Sequence, residues 1–349
     1  MLPNVDPAIL DALGLEATSS KLVSHGGSSF ASSYKLTATK DGHELAFFVK
    51  TGTGPQAEVM FRGEYASLNS IHAADPSLHL CPRAHAHGPL RNSPGKFFLA
   101  TDFLDMRASS SASSGSASGK DTGLSLAAKL AKLHTTPAPI PKGFSRPVFG
   151  FPVPTCCGAT RQDNTWTESW AEFYAERRLR AILRENVRQN GPDRELGEAV
   201  EKLAAIVVPR LLGDNHLKGV QPVVVHGDLW SGNHGHGRII GRDGGRGAGV
   251  EEVVFDPSAV YGHSEYDLGI MNMFGGFGSR FWKEYESLVP KAEPKEEWED
   301  RIALYELYHH LNHCALFSGV YRSGAMSIMR KLISKYGNSE SRSAKTPAE

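Results

Sequence analysis

Residues 107–120, RASSSASSGSASGK, cannot contribute to a packed interior, because small polar residues and glycine fill the run and no large apolar side chain interrupts it. This surface insertion or linker divides the chain of 349 residues into two unequal parts with different patterning. Before it, two apolar-rich pieces flank Asp41-Gly42, a strong hairpin pair, and the first begins just after Gly26-Gly27. A helix is predicted from Pro55 to about Ala73, and KFFLATDFLDM at 96–106 reads as a buried strand running into a connection. Beyond the insertion the periodicity is helical over 122–134, 165–185, 194–212, 277–289, 295–318 and 324–336. Thr165 and Glu168 are expected to form a capping box, and Gly337 to cap the last helix. One strand pair is expected in this half, near 236–241 and 250–255, joined by GRDGGRGAG. The expected fold is therefore α+β: a small antiparallel β-rich lobe over 1–106, the insertion, a larger helical lobe over 121–337, and a fraying tail over 338–349.

Two stretches carry the chemistry. VVHGDLWSGN places Asp228 and Asn233 just beyond an apolar run, and VEEVVFDP places Asp256 at the end of another. A hairpin between them would bring all three around one small volume. Two carboxylates and an amide oxygen are hard ligands that suit Mg²⁺ beside phosphate oxygens. Asp228 precedes the ligands and is the candidate base, leaving Asn233 and Asp256 for the metal. Phosphoryl transfer proceeds through a loose transition state, so orienting an acceptor hydroxyl demands little basicity. Either aspartate alone reads equally as a turn residue; the specificity lies in His-Gly-Asp-x-x-x-x-Asn followed by Phe-Asp-Pro.

The first half supplies a cation. Lys50 ends the run LAFFVK, and Glu64 shares a helix face with Ala57, Phe61, Leu68 and Ile71. A carboxylate among core positions needs a partner. Pairing with Lys50 would satisfy it and point the ammonium between the lobes, where it could hold phosphates. The loop SHGGSSFASS, with Gly26, Gly27, Ser28 and Ser29, could cover phosphates with its amides, although it matches no standard phosphate-loop pattern.

HGDLWSGN, FDPSAVYGHSEYDLG, FGGF at 274–277, QDNTWTESWAEFYAERRL and LAKLH together resemble the fructosamine kinase / ketosamine-3-kinase family, over about residues 8–337. That family lies within the protein-kinase-like group that includes aminoglycoside and choline kinases. The resemblance implies a two-lobed protein-kinase-like fold with ATP and Mg²⁺ as cofactors. It also implies phosphorylation at O3 of ketosamines, including ribulosamine and fructosamine adducts on protein lysines, after which the 3-phosphate is lost and the amine freed. Glycated proteins or low-molecular-weight ketosamines are the expected partners. Carried across, Asp228 is the catalytic base and Asn233 and Asp256 the magnesium ligands. Lys50 with Glu64 positions phosphate, and Thr101, Asp102, Phe103 and Leu104 form the hinge that receives adenine. His226 holds the catalytic loop, and Asp267 bonds to that loop's backbone. Trp230, His263 and Glu265 are weaker candidates for the sugar side. Some relatives form redox-linked dimers through a glycine-loop cysteine; this loop has none, so a monomer is expected, with dimerisation left open. The competing functions are another small-molecule kinase of the same fold, acting on an aminoglycoside or choline-like alcohol, and a non-catalytic nucleotide-binding module.

Other features read as structural. The pair His309 and His313, with nearby Cys314, is too small a set for zinc and reads as helix packing or cleft lining. Trp166, Trp170 and Phe173 read mainly as core. A formal net charge of +0 argues against a broad nucleic-acid face, and no apolar run approaches the roughly 20 residues of a membrane span. Four cysteines without a CxxC make no disulfide scaffold and fit a reducing compartment, so a cytoplasmic location is expected.

Overall fold

The computed structural model describes residues 5–27, 31–106, 123–241 and 249–337. The N-terminal part is an antiparallel sheet flanked by two helices. Helix α1 (Pro7–Leu13) starts at an Asp6 cap and stops at the left-handed Gly14. Strands β1 (Ser20–Gly27), β2 (Ser32–Lys40) and β3 (His43–Thr53) form a meander, with Lys40 opposite His43. Asp41 and Gly42 both have positive φ at that turn, as a two-residue hairpin requires. Helix α2 (Gly54–Ala74) follows, then β4 (Ala84–Pro89) and β5 (Lys96–Asp105). Strand β4 forms although Pro82 stands just before it and Pro89 ends it. It pairs along β5, opposite residues 97–101.

The C-terminal part is mainly helical: α3 (Leu126–Thr135), α4 (170–190), α5 (194–212), α6 (Tyr266–Phe274), α7 (Ser279–Leu288), α8 (Trp298–Phe317) and α9 (Val320–Tyr336). Helix α4 starts later than the first capping signal suggests. Asp163 Oδ1 accepts from both the backbone N–H and the hydroxyl of Thr165, and Glu168 pairs with Arg146, so Ser169 becomes the cap and accepts from Glu172 N. More strand is present than expected. Beside the hairpin of β9 (His234–Ile240) and β10 (Glu251–Val254), β6 (Thr155–Cys157) pairs with β7 (Thr160–Gln162), and β8 (Val223–Val225) with β11 (Val260–Gly262). These three-residue strands are too short to leave a period of two in the sequence.

Two contacts tie the parts together. Residues 103–105 of β5 pair with 238–240 of β9, so one sheet runs from the N-terminal meander to the hairpin of the helical part. Helix α2 also shares a core with it: Phe61, Leu68 and Ile71 belong to one apolar cluster with Leu130, Val224, Leu229 and Leu268. Where α2 touches the second part the fit is close. A Cβ on Gly63 would lie 2.8 Å from Pro154 O, and Ser67 Oγ accepts from Ala259 N at 3.0 Å.

Candidate active site

Strand β3 delivers Lys50 to a cavity of about 800 Å³ between the two parts. Its ammonium donates to both Glu64 oxygens, at 2.8 and 3.0 Å, and to Asp256 Oδ1 at 2.7 Å. One cation thus joins strand β3, helix α2 and the loop after β10. Burial alone would depress the Lys50 ammonium, but the carboxylates of Glu64 and Asp256 outweigh it and hold the ammonium above the ordinary lysine range.

The loop after β8 is held from behind. Gly227 has φ +82°, and a Cβ there would lie 2.1 Å from Ser258 O, so both backbone and space demand glycine. Asp267, at the start of α6, accepts from His226 N and Gly227 N, each at 2.7 Å, and from His134 Nε2 at 3.0 Å. Burial would raise that carboxyl; the bond and charge of His134, with the charge of His226 and the bond from Gly227, hold it below the ordinary carboxylate range. His226 Nδ1 accepts from Asp228 N at 3.2 Å, so its Nε2–H donates to Phe255 O at 3.0 Å. That imidazole couples the Asp228 loop to the residue before Asp256.

Asp228 and Asn233 are locked to each other. Asn233 Nδ2 donates to Asp228 O at 2.9 Å and lies 3.4 Å from Asp228 Oδ2. This leaves Asn233 Oδ1 as the atom a cation would meet. Phe255 N donates to Asn233 O at 3.0 Å, which sets Asp256 beside it in a left-handed conformation, φ +56°. The donor set from Asn233 and Asp256 is all oxygen and fits a magnesium ion. Burial pushes the Asp228 carboxyl up to about 8; a hydrogen bond from Cys157 opposes the rise and the nearby Asp256 adds to it.

The other expected residues separate into groups. Gly27, Thr101, Asp102, Leu104 and Trp230 line the same cavity as Lys50, Glu64, Asp228, Asn233 and Asp256. Gly26 adopts φ +96° beside it, while Ser28 and Ser29 lie outside the described residues. The Phe103 side chain is buried away from the cavity, with Lys35 Nζ 4.1 Å from its ring centroid. His263 and Glu265 do not line this cavity. His263 Nδ1 meets Tyr305 OH at 2.8 Å, and Glu265 pairs with buried Arg301 at 2.7 Å while accepting from Ala292 N. Both serve the packing of α6 against α8, an arrangement that their place in a family-like run could not reveal.

The cavity wall has members the sequence did not single out, Cys156 and Cys157 from β6 and Asn312 and Tyr321 from the helices, together with Phe274 of the FGGF run. His313, read as packing or lining, is there too, and its ring lies 5.2 Å from Phe274 and 4.9 Å from Tyr321. Trp230 stands at the rim, 5.8 Å from Phe274. The cavity thus has a polar end, where Lys50 meets Glu64 and Asp256, and an aromatic end formed by Trp230, Phe274, His313 and Tyr321.

The fructosamine kinase family model matches residues 1–335. A ketosamine-3-kinase of Mus musculus is 34% identical over 335 residues, covering 91% of this chain and 97% of its own. Among solved structures, a putative fructosamine-3-kinase from Thermobifida fusca superposes with a TM-score of 0.69 at 25% identity, covering 95% of this chain and 98% of its own. The aminoglycoside phosphotransferase APH(4)-Ia gives 0.53 at 13% identity over 93% of this chain and 96% of its own, a likeness of fold alone. The α+β architecture of an antiparallel N-terminal sheet followed by a helical region is thus the protein-kinase-like one, and the chain belongs to the fructosamine kinase family of phosphotransferases.

Proposed function

We propose that this protein transfers the γ-phosphoryl group of ATP to O3 of ketosamines, with ribulosamine and fructosamine adducts on protein lysines or free amines as acceptors. The observation that carries the proposal is the Lys50 ammonium bridging Glu64 and Asp256 in the cavity that Asp228 and Asn233 also line. A binding module would need the cation but not the buried base beside it. In this reading Lys50 holds phosphate oxygens, Asn233 and Asp256 hold Mg²⁺, and residues 101–104 receive the adenine. Bound there, the magnesium ion would offset charge on the phosphoryl group in transit. Asp228 orients the sugar hydroxyl and takes its proton late in the transfer. The aromatic end, with Trp230, Phe274, His313 and Tyr321, offers ring faces to the sugar and its cationic amine. Loss of the 3-phosphate from the product then releases the amine, which makes the reaction a deglycation; a cytoplasmic location is part of the same proposal. Among the described residues no helix is long and apolar enough to cross a membrane.

The test is positional analysis of the product formed from ribulosyl-lysine and Mg²⁺-ATP, run beside fructosyl-lysine, choline and an aminoglycoside. Phosphate at O3 of a ketosamine supports the assignment. Turnover confined to choline or the aminoglycoside would replace the acceptor class while leaving the transfer chemistry in place.

A further inference from the structure

Behind the catalytic base lies a set of side chains that phosphoryl transfer does not use. Cys157 at the end of β6, Asp228, and His309 in the middle of α8 each offer one ligand atom, and the three atoms lie within 4.8 Å of one another. Residues some 70 and 80 positions apart in sequence thus converge on one point. Cys157 and His309 are 1% and 0% exposed. Both ring nitrogens of His309 are buried without a hydrogen-bond partner among the described residues. An imidazole packed among Tyr266 and Tyr308 for shape alone could be replaced by a phenyl ring, whereas these unmatched nitrogens stand beside a thiol and a carboxylate, the donor types that bind soft divalent cations. The thiol is already engaged on both sides: it bonds to Asp228 and receives Asn312 Nδ2 at 3.3 Å.

We propose that Cys157, Asp228 and His309 form a binding site for a thiophilic divalent cation of the Zn²⁺ type, and that its occupancy silences the kinase by tying up the base. Sulfur, imidazole nitrogen and one carboxylate oxygen suit a tetrahedral ion that keeps water or another ligand in its fourth position. They do not suit Mg²⁺, which selects oxygen donors of the kind Asn233 and Asp256 would supply. On binding, the cation replaces the thiol proton and the proton held by the Asp228 carboxyl, and both leave to solvent; two metal–ligand bonds form to Cys157 and Asp228, a third to the neutral imidazole of His309, and no electron changes hands. The Arg178 guanidinium, close enough to influence both Cys157 and His309, opposes a cation here, while the thiolate, Asp228 and nearby Asp267 favour it. Asp228 and Cys157 line the cavity, so the ion enters through the substrate cleft. The inhibitory half of this proposal rests on the kinase reading; the binding half does not.

The experiment titrates chelator-stripped full-length protein with Co²⁺ and then Zn²⁺, following the thiolate-to-cobalt charge-transfer band. One equivalent should produce the band, Zn²⁺ should erase it, and Cys156→Ser should retain it. Cys157→Ser should abolish it. His309→Phe should weaken Zn²⁺ binding by at least about tenfold, since even outer-sphere partners of a metal are worth that much. In the Mg²⁺-ATP assay buffered Zn²⁺ should inhibit the wild type, and His309→Phe should keep its uninhibited rate while losing that sensitivity. A band that survives Cys157→Ser, equal affinity in a folded His309→Phe, or no binding at micromolar metal overturns the site. Binding without inhibition overturns the regulatory half. Absence of any kinase turnover would leave the binding result standing and count against the proposed function instead.

Discussion

Burial sets the behaviour of Asp228, and the sign of its effect can be worked out. Its folded-state carboxyl is pushed up to about 8, against an ordinary value near 3.8. Between those values the folded chain holds a proton that the unfolded chain has lost. Stability from this group is therefore full below the lower value and is lost as pH rises through the higher one. Asp228→Asn removes the linkage. The variant should melt above the wild type by a margin that widens from pH 5 to pH 8, as read by thermal unfolding at each pH. Under the proposed role of Asp228 as base, activity should run the other way, since only an ionised carboxylate can accept the hydroxyl proton: wild-type kcat/KM should rise through the same range. The asparagine variant should lose roughly 10²–10⁴-fold in turnover while ATP affinity, measured by calorimetry, stays within a few-fold. Asp267 is a different kind of residue. It touches no substrate, but Asp267→Ala strands two buried amides and His134 Nε2, at about 1–3 kcal/mol for each unmatched group. Denaturant unfolding should show a large loss of stability that Asp228→Asn does not.

At the scale of elements, what could be read in advance was whatever one segment determines by itself. Asp41-Gly42 dictates the β2–β3 turn through its backbone, and Glu64 declared its need for a cation by standing among Phe61 and Leu68 on one face of α2. The β9–β10 hairpin could be anticipated because two apolar runs and a glycine-rich joint lie in one stretch, and its closure sets Phe255 against Asn233. What escaped depended on distant partners. β4 forms because β5 offers it an edge, despite its prolines. Cys157 meets Asp228 only because β6 packs at the cleft. His263 and Glu265 share a run with Asp267, yet the helical turn sends Asp267 to the loop and Glu265 to Arg301 on α8. That last pair makes a clear test of role. Arg301→Met should cost about 3–5 kcal/mol by leaving Glu265 buried and unpaired. Adding Glu265→Gln should recover part of the loss, and the acceptor KM of the folded fraction should stay unchanged.

Across the whole molecule, the two parts are distinct in composition but not in their interior. Helix α2 belongs by sequence to the first part and packs into the second, β5 passes its pairing from β3 to β9, and Lys50 bridges to Asp256. Opening the cleft fully would expose the α2 face, unzip residues 103–105 and strand a buried ammonium together. Partial unfolding of the first part alone is therefore costly, and the chain should unfold in one transition. The five tryptophans all follow residue 165, so their fluorescence reports only the second part. Hydrogen exchange of the β2 and β3 amides reports only the first. In rising denaturant the two probes should give one midpoint. Mg²⁺-ATP at about a hundred times its Kd should add roughly 2.7 kcal/mol and move both midpoints together, because the proposed nucleotide site draws on residues of both parts. Asp256→Ala should shrink that shift in both probes equally. If β2 and β3 exchange well before the tryptophans respond, the continuity of core and sheet is not what holds the lobes together, and the Lys50 bridge would have to be a local contact between independently stable units.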